Sequence, residues 1–126
     1  MIELNTFHNA DYAECAARVS STNEEGPMTQ SNEHASCPRL TLVIPCHNEE
    51  LVLPETAKRL VALLDQLTQE ALIATPSIFF TDDGSTDGTW SAIERLASEC
   101  SCIHGLKLSR NFGQQSAILA GLLTAP

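Results

Sequence analysis

Cations, aromatic rings and long apolar runs are all scarce in this chain. Seven Lys and Arg stand against sixteen Asp and Glu, a formal charge of −9. Nonspecific nucleic-acid binding needs Lys and Arg to displace counterions, so this balance argues against it. It also disfavours docking on anionic lipid through this segment, but it leaves phosphate ligands open, because a divalent cation can bridge carboxylates and phosphates. Aromatics make up 5% of the residues, so a core must rest on Leu, Ile, Val and Ala. The longest apolar stretch, Ala117 to Ala125, falls far short of the ~20 residues that span a bilayer. No secretory signal opens the chain, and the five cysteines form no even framework, which fits reduced thiols in the cytosol. Cys100, Cys102 and His104 are spaced too tightly for a zinc knuckle and have no second Cys or His pair nearby. They read as ordinary, partly buried small residues. Neither a P-loop nor a G-x-G-x-x-G occurs, so ATPase and dehydrogenase readings lack their main feature.

What is present fits one modest domain. Residues 1–38 are rich in Ser, Thr, Asn and Glu and are expected to form a polar, disordered leader, with a short helix around Asp11 to Val19. Residues 39–126 alternate short apolar runs with helix-like patterns. Leu40–Ile44 reads as a strand buried on both faces, with Pro45 expected to end its pairing and turn the chain outward. Pro54 suits the first turn of a helix that places Leu60, Leu63, Leu64 and Leu67 on one face. Ser77–Thr81 is the second strand, and a second helix from near Thr89 buries Trp90, Ile93, Leu96 and Ala97. Ile103–Leu108 is the third strand, and a helix over Gln115–Leu123 is expected to turn Ile118, Leu119 and Leu122 inward. The fold class is α/β, a β-α-β-α-β-α parallel sheet with right-handed crossovers. In such sheets ligands sit outside the carboxyl ends of the strands.

A polar, turn-rich cluster follows each strand: Pro45-Cys46-His47-Asn48-Glu49-Glu50, Asp82-Asp83-Gly84-Ser85-Thr86-Asp87-Gly88-Thr89 and Ser109-Arg110-Asn111-Phe112-Gly113. In the second, Gly84 and Gly88 permit turns that a Cβ would hinder, and Asp87 or Thr86 can cap the helix that follows. Asp83 is suited to accept from a nucleobase imide or a ribose hydroxyl, while Asp82 is expected to hold the loop backbone. In the first, His47 could lie flat against a base, and Asn48 and Glu49 can tie loops together; a solvated helix entry explains Asn48-Glu49-Glu50 equally well. Cys46 and His47 are adjacent along an extended chain, so their side chains point apart and make a poor nucleophile pair. Arg110, Gly113 and the free amides of the third helix together suit a diphosphate.

The three clusters, in order and at matching spacing, resemble the family 2 glycosyltransferases, closest to their polyprenyl-phosphate sugar transferase branch. The resemblance covers Leu40 to about Leu123. It implies the N-terminal, Rossmann-like half of a GT-A fold that binds a UDP- or GDP-linked sugar. The sugar would pass, with inversion, to a polyprenyl phosphate at the cytosolic face of a membrane. By motif position Pro45, His47 and Glu49 would line the nucleotide pocket, Asp83 would contact base or ribose, and Arg110 would lie near the phosphates. Family members often carry Tyr or Phe where His47 stands. The resemblance also implies Mg²⁺ or Mn²⁺ held by an Asp-x-Asp motif, which would lie beyond Pro126 with the acceptor-side residues and membrane helices. The chain as it stands is therefore expected to be catalytically incompetent and to self-associate through an exposed sheet edge.

Two other readings compete. One is a noncatalytic nucleotide-binding or interaction module. The other is a calcium loop: from Asp83, oxygen-bearing residues fall at Ser85, Asp87, Thr89 and Ser91, with Gly88 sixth and Glu94 twelfth, the spacing of an EF-hand. The strand-like Ile78-Phe79-Phe80 and Pro76 before it argue against the incoming helix that an EF-hand needs.

Overall fold

The computed structural model describes residues 37–126. All but the last two residues of the expected leader, including its short helix, lie outside the described residues. The rest runs β1 (Leu40–Cys46), α1 (Leu53–Gln69), β2 (Pro76–Asp82), α2 (Thr89–Glu99), β3 (Ile103–Lys107) and α3 (Gln114–Thr124). The strands form one parallel sheet in the order β1-β2-β3, the α/β arrangement that the sequence predicts.

Central β2 is buried on both faces, as its Ile-Phe-Phe run requires. Side chains alternate along a strand, so one run feeds two cores. Ile78 and Phe80 join Leu53, Ala57 and Leu64 of α1 and Ile93 of α2 in the larger core. Phe79 faces the opposite way and meets Leu106, Leu108 and Ala117 of α3. Helices therefore cover both faces of the sheet.

Strand β1 is only half-buried from Leu40 to Pro45, not buried on both faces, because it stands at an edge of the described sheet. Three further expectations need correction. Pro45 does not end pairing: it stands opposite Thr81, and β1 continues to Cys46. The Leu40 N–H donates to the Thr75 carbonyl, and the Cys46 carbonyl accepts from Asp83 N–H. Even-numbered positions of β1 thus bond toward β2, and the N–H that Pro45 lacks would fall on the strand's other edge. Among the described residues no strand pairs there. On α1, Leu63 is exposed, because the buried stripe runs through Leu53, Ala57 and Leu64 and leaves Leu63 to one side.

The last correction is α3. Leu119 and Leu122 face outward, Ile118 is half-buried, and Ala117 and Gly121 pack on the sheet. Clearance is the reason. A Cβ at Gly121 would stand 2.5 Å from Val43 Cγ1 and 2.6 Å from Thr81 Oγ1. With Phe79 already filling this face, the helix can approach only on its smallest side chains. Gly121→Val is accordingly expected to cost about 1–3 kcal/mol by overpacking, read as a lower urea midpoint. Leu122→Ala should stay within about 0.5 kcal/mol.

Candidate functional site

All three loops leave the sheet side by side. The β1–β2 ladder ends with Cys46 opposite Asp82 and is extended by the Asp83 N–H donating to the Cys46 carbonyl at 2.8 Å. On the other side, the Leu108 N–H donates to the Asp82 carbonyl at 2.9 Å.

Hydrogen bonds stitch the first loop to the second. Asn48 has a φ of 51°, a left-handed conformation that Asn tolerates better than most side chains. There its N–H donates to Ser85 Oγ at 2.9 Å and its Oδ1 accepts from the Thr86 N–H at 2.8 Å. The Glu49 N–H donates to Thr89 Oγ1 at 2.9 Å, and the Gly88 N–H donates to Glu50 Oε2 at 3.0 Å. Asp87 accepts from the N–H and hydroxyl of Thr89, and from the Glu50 N–H at 3.3 Å. It therefore fastens the entry to α2 from just outside the helix. The Thr89 hydroxyl is the main reason the Asp87 carboxyl is held below its ordinary value of 3.8. A depressed carboxylate stabilises fully above its unfolded value, and that contribution is lost as pH falls through the lower folded one.

The second loop also carries the third. Asp82 is fully buried, and its Oδ1 accepts from the Ser85 N–H at 3.1 Å. Gly84 has a φ of +64°, and a Cβ there would lie 2.3 Å from the Arg110 carbonyl carbon and the Asn111 nitrogen. The backbones thus meet where only glycine fits. Asp83 is buried, and its Oδ1 accepts from the Phe112 N–H at 2.8 Å. His47 Nδ1 donates to the Asp83 carbonyl at 2.9 Å, since a carbonyl can only accept. The ring's Nε2 then accepts from the side-chain amides of Asn48 at 3.3 Å and Asn111 at 3.4 Å.

These contacts frame a cleft of about 290 Å³. Pro45, His47, Glu49 and Asp83, four of the five binding residues that the sequence nominates, line it together with Cys46. Asn111, Gly113 and Gln114 close the far side. No side chain caps α3, so its free N–H groups border the cleft as the positive end of the helix dipole. Arg110, the fifth nominee, is not part of the lining: it is exposed, with its guanidinium 4.4 Å over the Phe112 ring.

The EF-hand spacing does not become an EF-hand. Strand β2 leads into the loop, Asp87 is turned to Thr89 and Glu50, and Asp83 is turned to Phe112. Among the described residues no three His, Cys, Asp or Glu side chains gather as a metal site. His104 stacks on Phe79, on the sheet face opposite the one that Cys100 and Cys102 pack against.

Residues 41–125 match the family model described as "Glycosyl transferase family 2". The chain belongs to this family. It is 49% identical over 88 residues to the "Uncharacterized glycosyltransferase YkoT" of Bacillus subtilis (strain 168), covering 69% of this chain and 26% of that protein. It is also 41% identical over 87 residues to an "Undecaprenyl-phosphate 4-deoxy-4-formamido-L-arabinose transferase" of Aeromonas hydrophila, covering 68% of this chain and 25% of that one. A protein of the same name from Serratia proteamaculans (strain 568) is 38% identical over 84 residues, 66% and 24% of the two chains. The family 2 chain thus spans about a quarter of the length of these relatives.

Two features of the family 2 cleft were not nominated from sequence. Asn111 lines the cleft, holds His47 and, through Oδ1, accepts from the Gly113 N–H at 2.9 Å. Its place after a strand and two residues before a helix-entry glycine was the available signal. Gln114 reaches the cleft only because α3 starts there. Cys46, although in the lining, is no nucleophile: burial first, then the Glu49 and Asp82 carboxylates, pushes its thiol up to about 12. Iodoacetamide at neutral pH is expected to leave Cys46 unmodified in the folded chain and to alkylate it in urea, as read by peptide mass spectrometry.

Proposed function

We propose that the cleft binds the nucleotide diphosphate of a UDP- or GDP-linked sugar. In this reading the chain is the nucleotide-binding part of an inverting transferase that passes the sugar to a polyprenyl phosphate at the cytosolic face of a membrane. One observation carries it: the Asp83 carboxylate, the His47 ring and the N-terminal end of α3 converge on one cleft at the carboxyl ends of parallel strands. The relatives named for undecaprenyl-phosphate sugar transfer support the acceptor class.

Each residue has a task in this reading. Asp83 accepts from a base imide or a ribose hydroxyl, while its other contact, to the Phe112 N–H, keeps the third loop in place. His47 is fixed by hydrogen bonds on both ring nitrogens and offers a rigid ring to the base. Pro45 and Glu49 wall the pocket. The diphosphate lies toward Gly113 and Gln114, where amide dipoles stabilise negative charge, with Arg110 as a cation at the rim. A divalent ion would offset charge on the leaving diphosphate. The described residues group no ligands for one, so no step is assigned through it. No helix among them is long and apolar enough to cross a membrane.

The test pairs binding with turnover. The chain, given UDP- and GDP-sugars with polyprenyl phosphate in detergent, is expected to bind one nucleotide saturably and to form no glycolipid. Glycolipid formation would refute the inactivity of this part alone. Absence of saturable binding by either nucleotide would refute the site.

A further inference from the structure

A second chemically distinct place lies at the other end of the sheet. Helix α2 ends before Cys100 and β3 begins at Ile103, on the amino side of a strand whose carboxyl end feeds the cleft. Across β3 that separation is about 13 Å at the usual rise per residue. The Ile103 N–H donates to the Cys100 carbonyl at 3.1 Å, closing a turn that folds Cys102 back toward Cys100. Their sulfurs sit 2.7 Å apart, both residues are half-buried and neither is bonded. A disulfide needs about 2.05 Å between sulfurs, so less than one ångström of movement separates contact from bond.

We propose that Cys100 and Cys102 are a reversible dithiol–disulfide site, closed by a low-molecular-weight disulfide and reopened by thiols. The roles of the two sulfurs differ. The hydrogen bond from Cys102 is the main influence on Cys100 and brings its thiol down to about 6, while the same bond raises Cys102. The contact favours the thiolate form of Cys100 over that of Cys102, and the thiolate is the nucleophile in exchange. It attacks one sulfur of the oxidant RS–SR, breaking that bond and releasing RS⁻. Cys102 then gives its proton to solvent and attacks the Cys100 sulfur, expelling the second RS⁻. Two electrons pass from the cysteine pair to the oxidant, which leaves as two thiols. The partial burial that shields the pair from bulk solvent still leaves Cys100 reachable by a small disulfide.

Trypsin isolates the pair, because cleavage after Arg95 and Lys107 yields a peptide, Leu96–Lys107, with no other cysteine. The full chain is treated with oxidised glutathione, alkylated with iodoacetamide, digested and weighed. The expected peptide has lost two hydrogens and takes no alkyl group, and dithiothreitol restores both alkylation sites. In Cys100→Ser, Cys102 should stay alkylatable or carry one glutathione, and no ring should form. A wild-type peptide that remains doubly alkylatable, or that carries two separate glutathiones, overturns the proposal.

Discussion

Gly84→Ala is expected to cost about 3 kcal/mol or more, lowering Tm by roughly 12 °C or more for a domain of this size. Two terms add. A residue with a Cβ pays about 1–2 kcal/mol for the left-handed region, and Gly84 has a φ of +64°. The added carbon would also stand 2.3 Å from the Arg110 and Asn111 backbone, which has no flexible end to move aside. Relief must come from separating the second loop from the third, which also pulls the Asp83 carboxylate away from the Phe112 N–H. Gly88→Ala is the matched control, because its Cβ would meet only the end of the Glu50 side chain, which can swing aside at the loss of its one bond from the Gly88 N–H. Its expected cost is below about 1 kcal/mol. Thermal melts of the two variants side by side decide the matter: equal losses would mean that the Gly84 contact does not organise the site.

Asp83→Asn is expected to weaken nucleotide binding by about 10–100-fold, the worth of one hydrogen bond to a charged group. Asparagine keeps an acceptor oxygen for the Phe112 N–H, so the third loop should stay in place and Tm should change little. The Ala variant removes both contacts, and should lose affinity and stability together. Glu94→Ala serves as the control, since Glu94 lies on α2 outside the cleft lining. It should change affinity by about 2-fold at most. Calorimetric titration with UDP and GDP measures all three variants. Unchanged affinity in Asp83→Asn would remove Asp83 from the site, and a large loss in Glu94→Ala would mean that nucleotide contacts lie outside the cleft.

Strands and loops were legible in the sequence because each rests on a local signal. The short Ser77–Thr81 run, set off by the Thr75-Pro76 break, reads as a strand, and the turn-rich clusters follow directly from their Gly, Asp and Asn content. Whatever depended on which neighbour lay alongside was not legible. Pro45 stays in β1 because its missing N–H falls on the side away from β2, and pairing side is not written in one strand. Helix α3 misled for a related reason. Its leucines repeat at helical spacing, yet the sheet face beneath was already filled by Phe79, so Ala117 and Gly121 took the inward positions. Periodicity finds an apolar face but does not measure the room left for it.

Much the same divides the site. Pro45, His47, Glu49 and Asp83 could be nominated from motif position, and all four line the cleft. What holds them there is long-range: Asn48 meets Ser85 and Thr86, Glu50 meets Gly88, and Asn111 meets His47 across 64 positions of chain. None of these pairings follows from spacing, because each needs the parallel register of the strands to bring two loops level.

The central claim is that nucleotide enters the cleft framed by the three loops, and amide chemical-shift mapping with UDP and GDP tests it most directly. The account predicts that one of the two shifts the amides of His47, Asp83, Asn111, Gly113 and Gln114, with those of Cys100 to Ile103 unmoved at the far end of the sheet. Saturable shifts confined to another surface, or none at these loops with either nucleotide, would contradict it.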